Sequence, residues 1–190
     1  LMVVGINSFN RRTEELDTAT PHVVFQFQNV PGIHRMNATN DNTTGYLGSE
    51  MHTYLTGNFL DGLKSAGLPE AVLLGPKRPV WKGYGQIGAH EIADTLWLPT
   101  ERELFGAGPY SFGPYSKTNE ESSDNQAYLE YYDGDGKRIK YNSDNNANGY
   151  WEASPYSASA ANFCHLSGSG RAGNAIASSV GGCAPAFCVR

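Results

Sequence analysis

Four groups of residues in this 190-residue chain have types and spacings that suit chemistry. The first is the cysteines, three in number, at 164, 183 and 188. An odd count does not make a disulfide framework. The four-residue gap between Cys183 and Cys188, with one distant cysteine, matches no zinc spacing, and on a strand His165 points to the opposite face from Cys164. These positions read as small buried thiols. The second group is Glu101 and Glu103. They follow Thr100 in a Thr-Glu-Arg-Glu run, a capping box in which the Thr100 hydroxyl takes the Glu103 N–H and the Glu103 carboxylate returns to Thr100. The first turn of a helix favours anions, so capping is expected there rather than acid–base catalysis. The third group, Asp133-Gly134-Asp135-Gly136, begins like a calcium loop, but Lys137 takes the place of a third oxygen ligand and no bidentate Glu follows. The fourth is His52, which lies outside the apolar seam of its segment and reads as a surface residue.

Nucleophile and phosphate motifs are missing from the sequence: there is no G-x-S-x-G elbow, no H-E-x-x-H, no Walker loop and no G-x-G-x-x-G between strand and helix. Residues 168–173 (GSGRAG) have no Lys and no amphipathic helix after them, and read as a Gly-Ser turn. No enzyme, no metal and no cofactor are expected. The net charge of −5 is spread without a basic stripe, so nucleic acid is not an expected partner. Residues 137–140 (KRIK), beside Asp133 and Asp135, read as a solvated turn. No window approaches ~18 uninterrupted apolar residues, so no membrane insertion is expected. The opening LMVVGINSF is too short, and lacks the basic flank, for a signal peptide. The length suits one domain over residues 1–190. Eleven Tyr, eight Phe and three Trp among many Gly, Asn and Ser point to a loop-rich, β-containing fold that binds through its surface.

The elements that must position these residues can be read in order. Residues 2–6 and 22–28 are strand-like, the second with Phe25 and Phe27 on one side, and residues 7–21 form a polar connection. Residues 37–45 (NATNDNTTG) form a turn-rich loop with N-x-T patterns. Ser49 is the expected N-cap of the main helix, in which Met51, Tyr54, Leu55, Phe59 and Leu63 recur at three- and four-residue spacing. Gly57 and Gly62 weaken that helix, so tertiary packing must hold it. Residues 69–75 read as a short second helix opened by Pro69, residues 77–91 as irregular, and residues 92–98 as a strand stopped by Pro99. Residues 106–125 form a long Gly/Pro/Tyr loop whose Tyr110 and Tyr115 suit binding. Residues 126–132 read as a helical turn or two.

The last stretch, residues 150–190, organises the rest. More than half of it is Ala, Ser, Gly or Asn, the composition of a flexible linker. Yet it is punctuated by Tyr150-Trp151, Phe163-Cys164, Leu166 and Phe187-Cys188-Val189, which belong in a core. YWEAS and NFCHL read as strands, and in CAPAFCV the alternation puts Phe187 and Val189 on one face. A fixed frame carries side chains that are free to change.

The order of landmarks resembles a domain family found widely in gut bacteria and their phages. The matching residues are Phe25-Gln26-Phe27, Arg35-Met36-Asn37-Ala38-Thr39-Asn40, Ser49-Glu50-Met51 with Tyr54-Leu55, and Leu98-Pro99-Thr100-Glu101 with Glu103-Leu104-Phe105-Gly106. Trp151 with Ser154-Pro155, Phe163-Cys164 and Ala184-Pro185-Ala186-Phe187-Cys188 complete them. Cys183 stands where that family commonly has Val. The resemblance implies an α+β, C-type-lectin-like fold with two small antiparallel sheets, about two main helices and much ordered loop. The C-terminal pattern is similar to the variable proteins of diversity-generating retroelements, among them a phage tropism determinant at the tail-fibre tip. That likeness implies a binding protein whose final stretch is diversified on a fixed scaffold, in a virion tail or at a bacterial cell surface. The implied partner is a cell-surface protein or glycan receptor, with a trimer as the homo-oligomer that suits a tail tip.

On this reading Trp151, Ser154, Pro155, Phe163, Cys164, Gly170, Pro185, Phe187 and Cys188 are frame positions. The outward, variable positions, in a region spanning residues 150–182, are Tyr150, Glu152, Tyr156, Ala158, Ser159, Ala161, Asn162, His165, Ser167, Ser169, Arg171, Gly173, Asn174, Ile176 and Ser178. Tyr156 and His165 are the expected amphipathic anchors, with Ser and Asn supplying adaptable hydrogen bonds. Two alternatives stand beside it. One is a structural virion or tail-assembly module without a receptor. The other is a copper-dependent enzyme of the formylglycine-generating type, a fold relative, with Cys183 and Cys188 as the metal pair.

Overall fold

Alternating Phe187 and Val189 against Ala186 and Cys188 give a strand with apolar groups on both faces, which must be covered on both sides. The computed structural model describes residues 1–9, 21–106, 108, 110–111 and 129–190. In it, that strand is the hub of the first sheet. Strand β1 (Met2–Ile6) pairs with β2 (Val23–Gln26), and β2 pairs antiparallel with the final strand, β14 (Ala186–Val189), placing Phe25 opposite Phe187. The other edge of β14 pairs with two short strands, β4 (Leu73–Leu74) and β7 (Leu96–Trp97). The first and last strands therefore lie in one five-stranded sheet, with β2 between them. Phe25 and Phe27 both contact Phe187, as their period-two spacing requires.

The second five-stranded sheet carries the C-terminal stretch. It is built from β3 (Gly32–Arg35), β10 (Tyr150–Pro155), β11 (Asn162–Leu166), β12 (Ala172–Ile176) and β13 (Val180–Cys183), in the order β12-β11-β10-β13-β3. All neighbours run antiparallel except β10 and β13. Strands β12 and β13 are Gly- and Ala-rich and carry no sequence signal of their own; backbone pairing holds them. Two small hairpins complete the strands among the described residues: β5 (Arg78–Trp81) with β6 (Ala89–Ile92), and β8 (Lys140–Tyr141) with β9 (Ala147–Asn148). The fold is α+β.

Ser49 caps the main helix as expected, its hydroxyl accepting the His52 N–H at 3.1 Å. The helix runs through α1 (Glu50–Tyr54), a π-helical segment at Leu55–Phe59 and α2 (Leu60–Ser65). Met51, Leu55 and Leu60 are buried by packing, which offsets the low helix propensity of Gly57 and Gly62. Thr100 and Glu103 form the predicted capping box at the start of α3 (Glu101–Phe105).

Several expectations are corrected. Residues 69–75 hold only a 3-10 turn, Glu70–Val72, before β4, because Leu73 and Leu74 are drawn into the sheet beside β14. The stretch read as irregular forms the β5–β6 hairpin, since Arg78, Val80 and Trp81 are all buried. The strand read over 92–98 is divided, Ile92 closing β6 and Leu96–Trp97 forming β7. His52 is half-buried, with Nε2 3.1 Å from Asp94 Oδ2 and its ring edge-on to Tyr46. The KRIK run is not a solvated turn. Arg138 closes α4 (Asp135–Arg138) buried over the Phe105 ring, with Nε 3.2 Å from the Gly170 carbonyl. Lys140 is wholly buried, donating to the Phe27 carbonyl at 2.7 Å. Burial pulls its ammonium down to about 7.

Among the described residues two apolar clusters form the core. One packs Leu55, Leu96, Trp151, Phe163 and Phe187 under the main helix; the other gathers Val24, Trp97, Leu104, Tyr150 and Cys188. Burying a side chain such as Phe163 entirely contributes about 2–3 kcal/mol. Among the described residues no helix is long and apolar enough to cross a membrane.

Candidate functional site

The frame of the C-terminal stretch is buried throughout. Trp151, Ser154, Pro155, Phe163, Cys164, Gly170, Pro185, Phe187 and Cys188 all have little or no exposed surface. Trp151 is fixed twice: Nε1 donates to the His34 carbonyl at 2.9 Å, and His165 meets its ring edge-on at 5.0 Å. Gly181 lies across from it, where an added Cβ would come 2.6 Å from Trp151 Nε1. Gly170 adopts φ +77° and seats against the Asp135 carbonyl, so the β11–β12 turn admits no side chain there without strain.

The outward positions divide into two groups at opposite ends of the β11–β12 hairpin, about 14 Å apart along β11. At the turn, Ser167, Ser169 and Arg171 are exposed, with the Ser167 and Ser169 hydroxyls 2.9 Å apart and Arg171 3.8 Å from Asp135. Asp135 also takes Arg138 at 2.7 Å, so its carboxylate is already shared by two cations. At the open end stand Tyr156, Ala158, Ser159, Ala161, Asn162, Asn174, Ile176 and Ser178. Ala158, Asn174 and Ile176 are exposed and the others half-buried. Asn162 Nδ2 donates to Asn174 Oδ1 at 2.7 Å, and Ser159 Oγ donates to Asn162 Oδ1 at 3.2 Å. Tyr156 leans on Tyr110 with ring centroids 5.9 Å apart. Gly173 and His165 lie between the two groups, half-buried. His165 faces Trp151 rather than solvent, and burial lowers its imidazole to about 4, so it is neutral at physiological pH.

What sequence reasoning missed is the bed beneath the open end, supplied by the 37–45 loop. Asn42, wholly buried, donates its side-chain amide to the carbonyls of Tyr156, Ser159 and Asn162, and its backbone N–H to the Ala160 carbonyl at 2.6 Å. Met36 and Asn37 both donate to the Ala177 carbonyl at 3.0 Å, Ala177 donates to the Ala161 carbonyl at 2.8 Å, and Asn40 Oδ1 accepts from Ser178 N–H. The run from Arg35 to Asn42 thus grips backbone, not side chains. An Asn-rich turn flags such a loop; it does not reveal its target.

Two of the predicted outward residues are wrongly placed. Tyr150 and Glu152 are completely buried, because β10 is a central strand covered on both faces. Tyr150 donates its hydroxyl to the Arg138 carbonyl at 3.0 Å. Glu152 lies among Glu101 and Cys164, one ligand atom of each within 4.8 Å of the others. Glu101 is likewise buried rather than solvated at a helix start, its carboxylate accepting the Tyr110 and Ser111 N–H groups at 3.0 and 2.6 Å. Glu103 caps α3 and also accepts a bidentate Arg78 guanidinium at 2.6 and 2.7 Å. Cys183 and Cys188 are free and buried, Cys183 in the first core cluster and Cys188 in the second. The long loop read at residues 106–125, with Tyr115, lies mostly outside the described residues.

Residues 23–190 match the family described as Domain of unknown function (DUF6273). The chain belongs to that family. No curated protein and no solved structure matches it.

Proposed function

We propose that this family member is a ligand-binding module of C-type-lectin-like fold whose binding surface is the open end of the β11–β12 hairpin. That surface comprises Tyr156, Ala158, Ser159, Ala161, Asn162, Asn174, Ile176 and Ser178. The observation that carries the reading is the Asn42 bed. The loop is held through the carbonyls of Tyr156, Ser159, Ala160 and Asn162, anchors that do not depend on side-chain identity, while the Ser159 hydroxyl also accepts the Ala161 N–H. Side chains on such a loop can change while those anchors stay, which is the requirement of a diversified surface.

The chemistry of that end suits recognition of a cell-surface protein or glycan. Tyr156 offers a rigid amphipathic ring, Ile176 an apolar contact, and Asn162, Asn174, Ser159 and Ser178 short hydrogen-bonding groups. A location at a phage tail or bacterial surface goes with that reading. The test is sequencing of this locus across a mixed natural population, scored position by position. Substitutions concentrated at the eight open-end positions, sparing Trp151, Phe163 and Asn42, are the expected result. Flat variation across residues 150–190 would overturn the display reading.

A further inference from the structure

Three ionisable side chains from three elements converge inside the second sheet, below the display end. Glu101 comes from the first turn of α3, Glu152 from β10 and Cys164 from β11, and none has exposed surface. Glu101 is well held. Its carboxylate accepts the Tyr110 N–H at 3.0 Å to each oxygen and the Ser111 N–H at 2.6 Å, and its own N–H donates to Ser154 Oγ at 3.0 Å. Cys164 Sγ lies 3.8 Å from Glu101 Oε2 and 3.7 Å from the Pro155 carbonyl. Glu152 differs. Both of its carboxylate oxygens are buried without a hydrogen-bond partner among the described residues, and one of them lies within 4.8 Å of a ligand atom of each of the other two. Buried polar groups are almost always satisfied, and an unsatisfied carboxylate is among the costliest exceptions.

We propose that Glu101, Glu152 and Cys164 bind one divalent transition-metal ion of the zinc class. Zinc bonds of about 2.3 Å to sulfur and about 2.0 Å to oxygen put tetrahedral ligand atoms about 3.5 Å apart, close to the Cys164–Glu101 separation. A thiolate among the donors selects against calcium and magnesium, which take oxygen ligands. Two carboxylates and a thiolate carry three negative charges, of which the ion offsets two, and the Arg138 guanidinium acts favourably on Glu152 although it is paired with Asp135. Three protein donors leave the fourth position of a tetrahedral ion for another group. The ion would satisfy Glu152 and tie α3 to β10 and β11. Burial and the neighbouring negative charges hold the Glu152 carboxyl and the Cys164 thiol well above their ordinary values, and burial raises Glu101 as well. Binding therefore releases protons. This site is independent of the display surface; either can exist without the other.

The experiment strips the full chain with a chelator and titrates it with Zn²⁺ and with Co²⁺. One ion per chain is expected, and the Co²⁺ adduct should show the near-ultraviolet thiolate-to-metal charge-transfer band. Glu152→Gln and Cys164→Ser should each weaken binding by more than the ~10- to 100-fold that loss of an outer-shell partner gives. Cys183→Ala and Cys188→Ala should leave both stoichiometry and band intact. Absence of binding to the folded chain would overturn the proposal. So would an adduct unchanged in Glu152→Gln, or one lost with Cys183 or Cys188 instead. Should Cys164→Ser fail to fold, the nearly isosteric Glu152→Gln decides.

Discussion

Replacing Glu152 by Gln in the metal-free chain should change how stability depends on pH. Burial is the largest cause holding the folded carboxyl well above its ordinary value of 4.5; Glu101 reinforces it and Arg138 opposes it. Below pH 4.5 folded and unfolded chains both carry the proton, so Glu152 contributes no pH dependence there. Above it the unfolded chain releases the proton while the folded chain keeps it. Stability then falls by about 1.4 kcal/mol per pH unit until the folded carboxyl itself ionises. The native chain therefore loses stability as pH rises above the carboxyl's ordinary value, a loss the Gln variant does not suffer. Glu101, raised in the same direction, is common to both chains. The amide's own desolvation shifts the variant's curve vertically and leaves its slope alone. Urea midpoints at pH 5, 6 and 7, at unchanged m value, read the difference directly. Parallel curves would mean that Glu152 ionises at its ordinary value, and the picture of an orphaned buried carboxylate would fail. Saturating Zn²⁺ should reverse the ranking: at 100 times its Kd the native chain gains about 2.7 kcal/mol, and the Gln variant little of it.

Three further predictions concern the scaffold. Glu103→Ala strands the buried Arg78 guanidinium and removes half of the capping box, so it should cost about 3–5 kcal/mol in chemical denaturation; Arg78→Met combined with Glu103→Leu should recover most of that. Asn42→Ala frees carbonyls of residues 156–162, and faster amide hydrogen exchange confined to that loop is the expected signature, with unchanged exchange there refuting the bed. Asn174→Ala and Ile176→Ala should each alter unfolding free energy by no more than about 0.5 kcal/mol, whereas Phe163→Ala should cost about 3–5 kcal/mol; equal effects would erase the distinction between frame and surface.

The sequence made local rules legible and long-range partnerships illegible. Ser49 and the Thr100–Glu103 box follow from short-range capping chemistry, and Phe25, Phe27, Phe187 and Val189 from period-two alternation, so these could be read. The burial of Tyr150 and Glu152 could not, because it depends on β10 being flanked by β11 and β13, and β13 is a Gly-rich strand without a pattern. Arg138 and Lys140 misled for the same reason. A cation looks solvated until its partners are known, and these partners, Gly170 and Phe27, lie 32 and 113 residues away. The Glu101–Glu152–Cys164 cluster was hidden by dispersal: cysteine spacing finds metal sites only when the ligands are neighbours in sequence.

The display surface and the buried cluster meet on one strand. Asn162, Cys164 and Leu166 share a face of β11 by its period of two, and along that face the strand passes from solvent to cluster to core. Asn162 reaches across to Asn174 at the surface, Cys164 joins the two carboxylates, and Leu166 packs with Tyr150. The open end is held through its carbonyls by Asn42, and the side chains gathered around Glu152 meet the same strand at Cys164. The two are separable by experiment. If the cluster steadies the open end, stripping the ion should raise exchange in β10 and β11 near Pro155 and Cys164 while the Asn42-held carbonyls keep residues 156–162 in place. Exchange that rises equally at both would mean the loop takes its shape from the strand, and the Asn42 bed would lose its claim to fix the surface alone.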